Sequence, residues 1–212
     1  MNRQTKTKQA ILDAALYLFH LKGFHATSLR DIGQKAQINP ANIAYYFKNK
    51  NGLLEFCLTS YFEDYIDVLD RNVQVLDDKG PQECLKDLVR DILHFQAKNF
   101  LASSFIYGET ALDSNLNREI LSTYYMKENY YFQVVYEKGF KEKLFRHVSF
   151  PISMLQLKGQ LSAPIIHARY AREVLHIFPQ ESYYIEKYIE DTIHFLHGTL
   201  FNNEPVRKLA LS

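Results

Sequence analysis

The chain has 212 residues, 47% hydrophobic and 23% charged, enough to bury a core in one or two domains. Its two cysteines, Cys57 and Cys84, lie far apart and no run of 18 apolar residues occurs, so the sequence indicates no disulfide framework, no zinc site and no membrane span. The near-neutral net charge of +1 conceals an asymmetry. Residues 1–52 hold eight Lys/Arg against only Asp13 and Asp31, while the remainder holds 17 basic against 22 acidic residues. A basic head on an acidic body points to a polyanionic partner for the head; the alternative is surface charge without pattern. The N-terminal MNRQTKTKQ lacks the apolar stretch of a signal peptide, which gives a cytoplasmic expectation.

Pro and Gly are scarce, β-branched alternation is nearly absent and apolar residues recur at three and four, so the expected fold class is all-α. The first helix is expected over about Thr5 to Lys22, with Ile11, Ala15, Leu18 and Phe19 on one stripe and Gly23 as its C-terminal cap. Ser28 and Asp31 have the spacing of a capping box for a short second helix that turns Leu29, Ile32 and Ala36 inward. After Gln37-Ile38, Asn39 can cap a third helix with Pro40 at its first position, and Asn49 can cap a fourth. Two short helices behind a stabilising one make a helix-turn-helix.

On the third helix, Ile43 and Phe47 point one way and Ala41 and Tyr45 the other, flanked by Asn42 and Ala44. Small outward residues let a helix backbone approach the floor of a DNA major groove, where Asn can bond a base edge and Ala can touch a thymine methyl. Tyr45 and Tyr46 carry hydroxyls suited to phosphates, with packing of the head as the alternative. Lys50 opens the fourth helix at the end its dipole disfavours, and a phosphate beside it removes that conflict. Arg30, on the solvent side of the second helix, is a further candidate for a base or phosphate contact.

The segment TKQAILDAALYLFHLKGFHATSLRDIGQKAQINPANIAYYFKNKNGLL resembles the head of the TetR/AcrR family of bacterial transcription regulators over about 48 residues. The resemblance is carried by Ala15-Leu18-Phe19, Gly23-Phe24-Thr27-Ser28, Asp31-Ile32-Gly33, Tyr45-Tyr46-Phe47 and Lys50-Leu53-Leu54. It departs from the family at Gln37, where Gly is usual, and at Gly33, where Ala is usual; Gln37 is expected to adopt a left-handed backbone. The resemblance implies a helix-turn-helix DNA-binding domain over 1–52, a helical dimerisation and regulatory body over 53–212, and a homodimer on a palindromic double-stranded site. Carried over by position, Pro40, Ala41, Asn42 and Tyr45 would face the groove, and Thr27, Ser28, Tyr46 and Lys50 would meet phosphates.

Within the body, FIYGETALDSNLNREILSTYYMKENYYFQVVYEKG is similar to one branch of the family, and the similarity extends to NIAYYFKNKNGLLE and, more weakly, SFPISMLQLKGQLSAP and EVLHIFPQESYY. That branch implies sites near the chromosome origin of spore-forming bacteria, a nucleoid-associated location and restraint of FtsZ-ring assembly during sporulation. The alternative is a repressor released from its operator by a small hydrophobic effector.

Body helices are expected near 53–77, 81–100, 103–112, 116–140, 149–175 and 181–202, with breaks at Gly80-Pro81, Asn115, Pro151 and Pro179 and bends at Gly108 or Pro164. The last helix gathers Tyr184, Tyr188, Ile189, Ile193 and Leu196 on one side, either for a two-fold partner or for its own subunit. The aromatics Tyr124, Tyr125, Tyr130, Tyr131, Phe132 and Tyr136 either fill a core or line a ligand pocket. Asp113 to Glu119 reads as a polar turn, an exposed partner surface or ordinary capping. His194 and His197 alone are a weak metal signal, and no linear catalytic motif occurs, so no catalytic, cofactor or metal residue is assigned.

Overall fold

The computed structural model describes residues 3–110 and 115–202. Among them the chain forms α1 (Arg3–Lys22), α2 (Leu29–Ala36), α3 (Pro40–Phe47), α4 (Lys50–Val73), α5 (Leu76–Lys79), α6 (Pro81–Lys98), α7 (Phe100–Thr110), α8 (Asn115–Lys141), α9 (Phe150–Ile166), α10 (Ala168–Glu173) and α11 (Ser182–Thr199). No strand occurs among the described residues; Phe145 and Phe201 form an isolated antiparallel bridge. The all-α expectation holds. No helix of the described residues is long and apolar enough to cross a membrane. The expected turn at Asp113–Glu119 begins outside the described residues.

The chain divides into two compact units, Met1–Asp64 with Asn99–Tyr124, and Tyr65–Lys98 with Tyr125–Ser212. The first is larger than the head expected at 1–52, because α7 packs on α1: the Phe105 ring lies 5.1 Å from that of Phe19, and the Tyr61 and Ser103 hydroxyls are 2.9 Å apart. In α1 the spaced residues Ile11, Ala15, Leu18 and Phe19 are all buried, each large one contributing about 1.5–3 kcal/mol on transfer from water. Gly23 ends the helix at φ 80°, its N–H donating to Phe19 O at 2.9 Å, and Phe24 returns to the core with its ring 5.3 Å from that of Phe19. A left-handed residue without a Cβ is the low-strain way to stop a helix there.

In the second unit α6 is the central helix, with Cys84, Leu85, Leu88, Val89, Ile92 and Leu93 fully buried and α9 and α11 packed against it. Burial pushes the Cys84 thiol up to about 11 and raises that of Cys57, in the first unit, as well, so both are protonated core residues at neutral pH. The Glu128 carboxylate, also buried, accepts from the Tyr65 hydroxyl at 2.6 Å and from the Lys158 ammonium, tying α4, α8 and α9 together. After α8 ends at Lys141 the chain turns back on Gly139, whose carbonyl accepts from Leu144 N–H at 2.9 Å and where a Cβ would lie 2.3 Å from the Phe145 ring. Phe145 stacks on Phe201 at 5.4 Å.

One expectation for this unit is corrected and one open alternative is decided. The helix expected over 149–175 is two helices, with Pro151 starting α9 and the chain breaking after Ile166. Pro164 has no N–H for the carbonyl of Gln160, four residues earlier, and the Tyr188 hydroxyl donates to that carbonyl instead, at 2.8 Å. On α11, Ile189 and Leu196 are buried in their own chain and Tyr184, Tyr188 and Ile193 are half-buried, so that side serves this subunit's core. Exposed large apolar side chains on these two helices are Tyr183 and Phe195 of α11 and Ile152, Leu155 and Ile166 of α9.

Candidate nucleic-acid interface

Helix α2 is held by a complete capping box. Asp31 N–H donates to Ser28 Oγ at 3.1 Å, and Ser28 N–H and Oγ–H donate to the Asp31 carboxylate at 2.8 and 2.7 Å. These hydrogen bonds hold the Asp31 carboxyl below its usual value. The helix ends at Gln37, which adopts the expected left-handed conformation at φ 58°, ψ 39° and donates its N–H to the Gln34 and Gly33 carbonyls. The tight turn explains the other departure: a Cβ at Gly33 would lie 2.6 Å from Ile38 O and 3.0 Å from the Pro40 ring.

Asn39 Oδ1 accepts from Ala41 N–H at 2.9 Å, and Pro40 opens α3, as the sequence indicates. Ile43 and Phe47 are buried, and their burial fixes the rotation of the helix. Pro40, Ala41, Asn42 and Tyr45 are consequently exposed, Tyr45 at 82%. The Tyr46 ring is half-buried beside Tyr45 at 5.5 Å, with the Lys8 ammonium 5.8 Å from its centroid. Arg30, Lys6, Lys22 and Lys48 are also exposed, and among the described residues none of them forms a salt bridge. Asn49 caps α4 by accepting from Gly52 N–H at 2.9 Å.

Two residues expected at phosphates face the protein. Thr27 is 2% exposed and its hydroxyl donates to Gly23 O at 2.9 Å, within 3.3 Å of Leu18 O, closing the loop between α1 and α2. The Lys50 ammonium lies 2.9 Å from Phe24 O, 2.9 Å from Thr27 O and 3.3 Å from His25 O, with the Phe24 ring 4.5 Å away. An ammonium has three protons, and three carbonyls take them. The dipole conflict read from sequence is thus met by carbonyl oxygens of the same chain. Local spacing carries no sign of this, because the three carbonyls lie more than twenty residues away.

The arrangement is a hydrogen-bonded platform presenting one short helix, small at its N-terminal half and aromatic at its C-terminal half, beside the exposed cations Lys6, Lys22, Arg30 and Lys48. Residues 11–57 match the family model described as "Bacterial regulatory proteins, tetR family". The "Probable HTH-type transcriptional regulator YttP" of Bacillus subtilis (strain 168) is 39% identical over 188 residues, covering 89% of this chain and 91% of that one. Among solved structures, a TetR-family regulatory protein from Rhodococcus RHA1 superposes with a TM-score of 0.71 at 18% identity, covering 89% of this chain and 96% of that one. The TetR-family regulator PfmR from Thermus thermophilus gives 0.70 at 17%, covering 87% and 97%. These structures share the fold, and the extent of the Bacillus similarity shows the family: this chain is a TetR-family DNA-binding transcriptional regulator rather than an enzyme.

Proposed function

We propose that the protein acts as a homodimer reading a palindromic DNA site through α3, and that it is of the kind of RefZ, the forespore-capture DNA-binding protein, binding near the chromosome origin and restraining FtsZ-ring assembly during sporulation. The observation that carries the DNA-reading part is the exposed face Pro40-Ala41-Asn42-Tyr45, fixed by burial of Ile43 and Phe47. Asn42 is the base reader, Tyr45, Tyr46 and Ser28 position the helix on the backbone, and Arg30 reaches a base or phosphate. The exposed Ile152, Leu155 and Ile166 of α9 and Tyr183 and Phe195 of α11 suit a two-fold partner, an apolar surface needing cover. The chromosomal role rests on the sequence similarity of the body and gives a nucleoid-associated cytoplasmic location.

The repressor reading with a small hydrophobic effector is less well supported. Along α8, Phe132 and Tyr136 are buried while Tyr125 and Tyr130 are exposed, so these aromatics do not line one common space. Site selection from randomised duplexes at near-physiological salt, with Tyr45→Ala as control, tests the reading. One palindrome, lost in the control and mapping near the origin without added small molecule, is expected. No enriched motif overturns the DNA-reading role; release from DNA by a micromolar metabolite overturns the effector-independent one.

A further inference from the structure

We infer that the phosphate contact at the α3–α4 junction is made by Lys48 and not by Lys50, and that a strained backbone at Lys48 is retained for that contact; this rests on the DNA-reading role proposed above. With its protons engaged by Phe24 O, His25 O and Thr27 O, Lys50 has no donor left to turn outward without breaking a bond inside the head. Lys48, two residues earlier, is exposed, and among the described residues its ammonium has no hydrogen-bond, ion-pair or ring partner.

Its backbone stands at φ 65°, ψ −58°, with Asn49 N–H donating across it to Phe47 O at 2.7 Å. That is a three-residue turn of the strained, positive-φ kind, in which any residue but glycine carries a conformational penalty. Glycine would relieve the strain, so stability alone does not account for lysine. The position directly follows α3 and lies three residues from Tyr45, on the rim of the face assigned to the groove. A four-carbon stem rooted there carries a free cation beside that face, where a backbone phosphate of a duplex held by α3 would stand.

The consequence is an opposition of sign that a purely structural role cannot give. Lys48→Gly in the full-length protein should raise the melting temperature. The same change should weaken binding to the selected duplex about ten-fold or more, and lower the slope of log affinity against log salt by about 0.9 per subunit, or roughly two for a dimer. Lys48→Arg should keep both affinity and slope. Affinity and slope unchanged in Lys48→Gly, with the wild type bound, overturn the inference and leave the DNA-reading role standing. A Lys48→Gly protein that binds worse and also melts lower overturns it in favour of a structural lysine. Failure of the wild type to bind any duplex specifically removes the DNA-reading role itself, and this inference with it.

Discussion

The Lys50 ammonium and the Thr27 carbonyl, 2.9 Å apart, close the α1–α2 loop onto the start of α4. Lys50 makes the same contact with Phe24 and His25, so one side chain serves three loop carbonyls, of which that of Phe24 also accepts the Thr27 N–H. Lys50→Ala should therefore lower the stability of the protein by about 1–3 kcal/mol, the cost of leaving polar groups unmatched. Chemical denaturation measures it. An Ala variant of unchanged stability that simply binds DNA less tightly would return Lys50 to the phosphates.

Tyr45 presents the opposite case. Exposed at 82% and outside the core, it should be replaceable by Ala with a stability change within about 0.5 kcal/mol, while specific DNA affinity falls markedly. Paired melting and binding curves separate the two effects, and a large loss of stability would show that Tyr45 supports the head instead of the interface.

The turn between α2 and α3 yields two substitutions of opposite sign. Gln37 holds φ 58°, so Gln37→Gly should stabilise by about 0.5–1 kcal/mol. Gly33→Ala places a methyl against the Ile38 carbonyl and should destabilise by about 1–3 kcal/mol. Equilibrium unfolding of both variants checks this, and a stabilised Gly33→Ala would mean that the turn is looser than its geometry states.

Asp31 makes the head acid-sensitive. Its carboxyl is held below the ordinary value of 3.8 by the Ser28 hydroxyl and N–H, so the folded state prefers the ionised form. With a depressed folded value, the contribution is full above the unfolded value and is lost as pH falls through the folded one. Melting temperatures of wild type and Asp31→Ala should differ at neutral pH and converge below about pH 4. A gap that stays constant with pH would assign the effect to the backbone instead of the carboxylate.

Tyr188 tests how Pro164 is tolerated. Tyr188→Phe removes the hydroxyl that satisfies Gln160 O and should cost about 1–2 kcal/mol, whereas in a Pro164→Ala background, where an α9 N–H can reach that carbonyl, the cost should shrink. Additive losses in the double variant would show that the two groups do not share the Gln160 carbonyl.

Much of the head was legible because its determinants are local. A capping box spans three residues, an N-cap two, and the rotation of α3 follows from the spacing of Ile43 and Phe47. The left-handed backbone of Gln37 was implied instead by the resemblance to the TetR family, which usually carries glycine there. The helical class, the helix-turn-helix and the outward face of α3 are therefore encoded in short stretches of chain.

Which cations and hydroxyls remain free for a partner is a matter of the tertiary fold. Thr27 and Lys50 have the right chemistry for phosphates, but the Thr27 hydroxyl turns back to Gly23 O and the Lys50 ammonium meets carbonyls up to 26 residues away, a span that no periodicity encodes. The carbonyl that Pro164 leaves without an N–H and the inward side of α11 were settled in the same way, by Tyr188 reaching Gln160 from 28 residues away and by Ile189 and Leu196 packing within their own subunit. Local hydrogen bonds and helical spacing can be read from a chain, because neighbouring residues have few places to go. The use of a long polar side chain depends on which acceptors the rest of the fold brings within its reach.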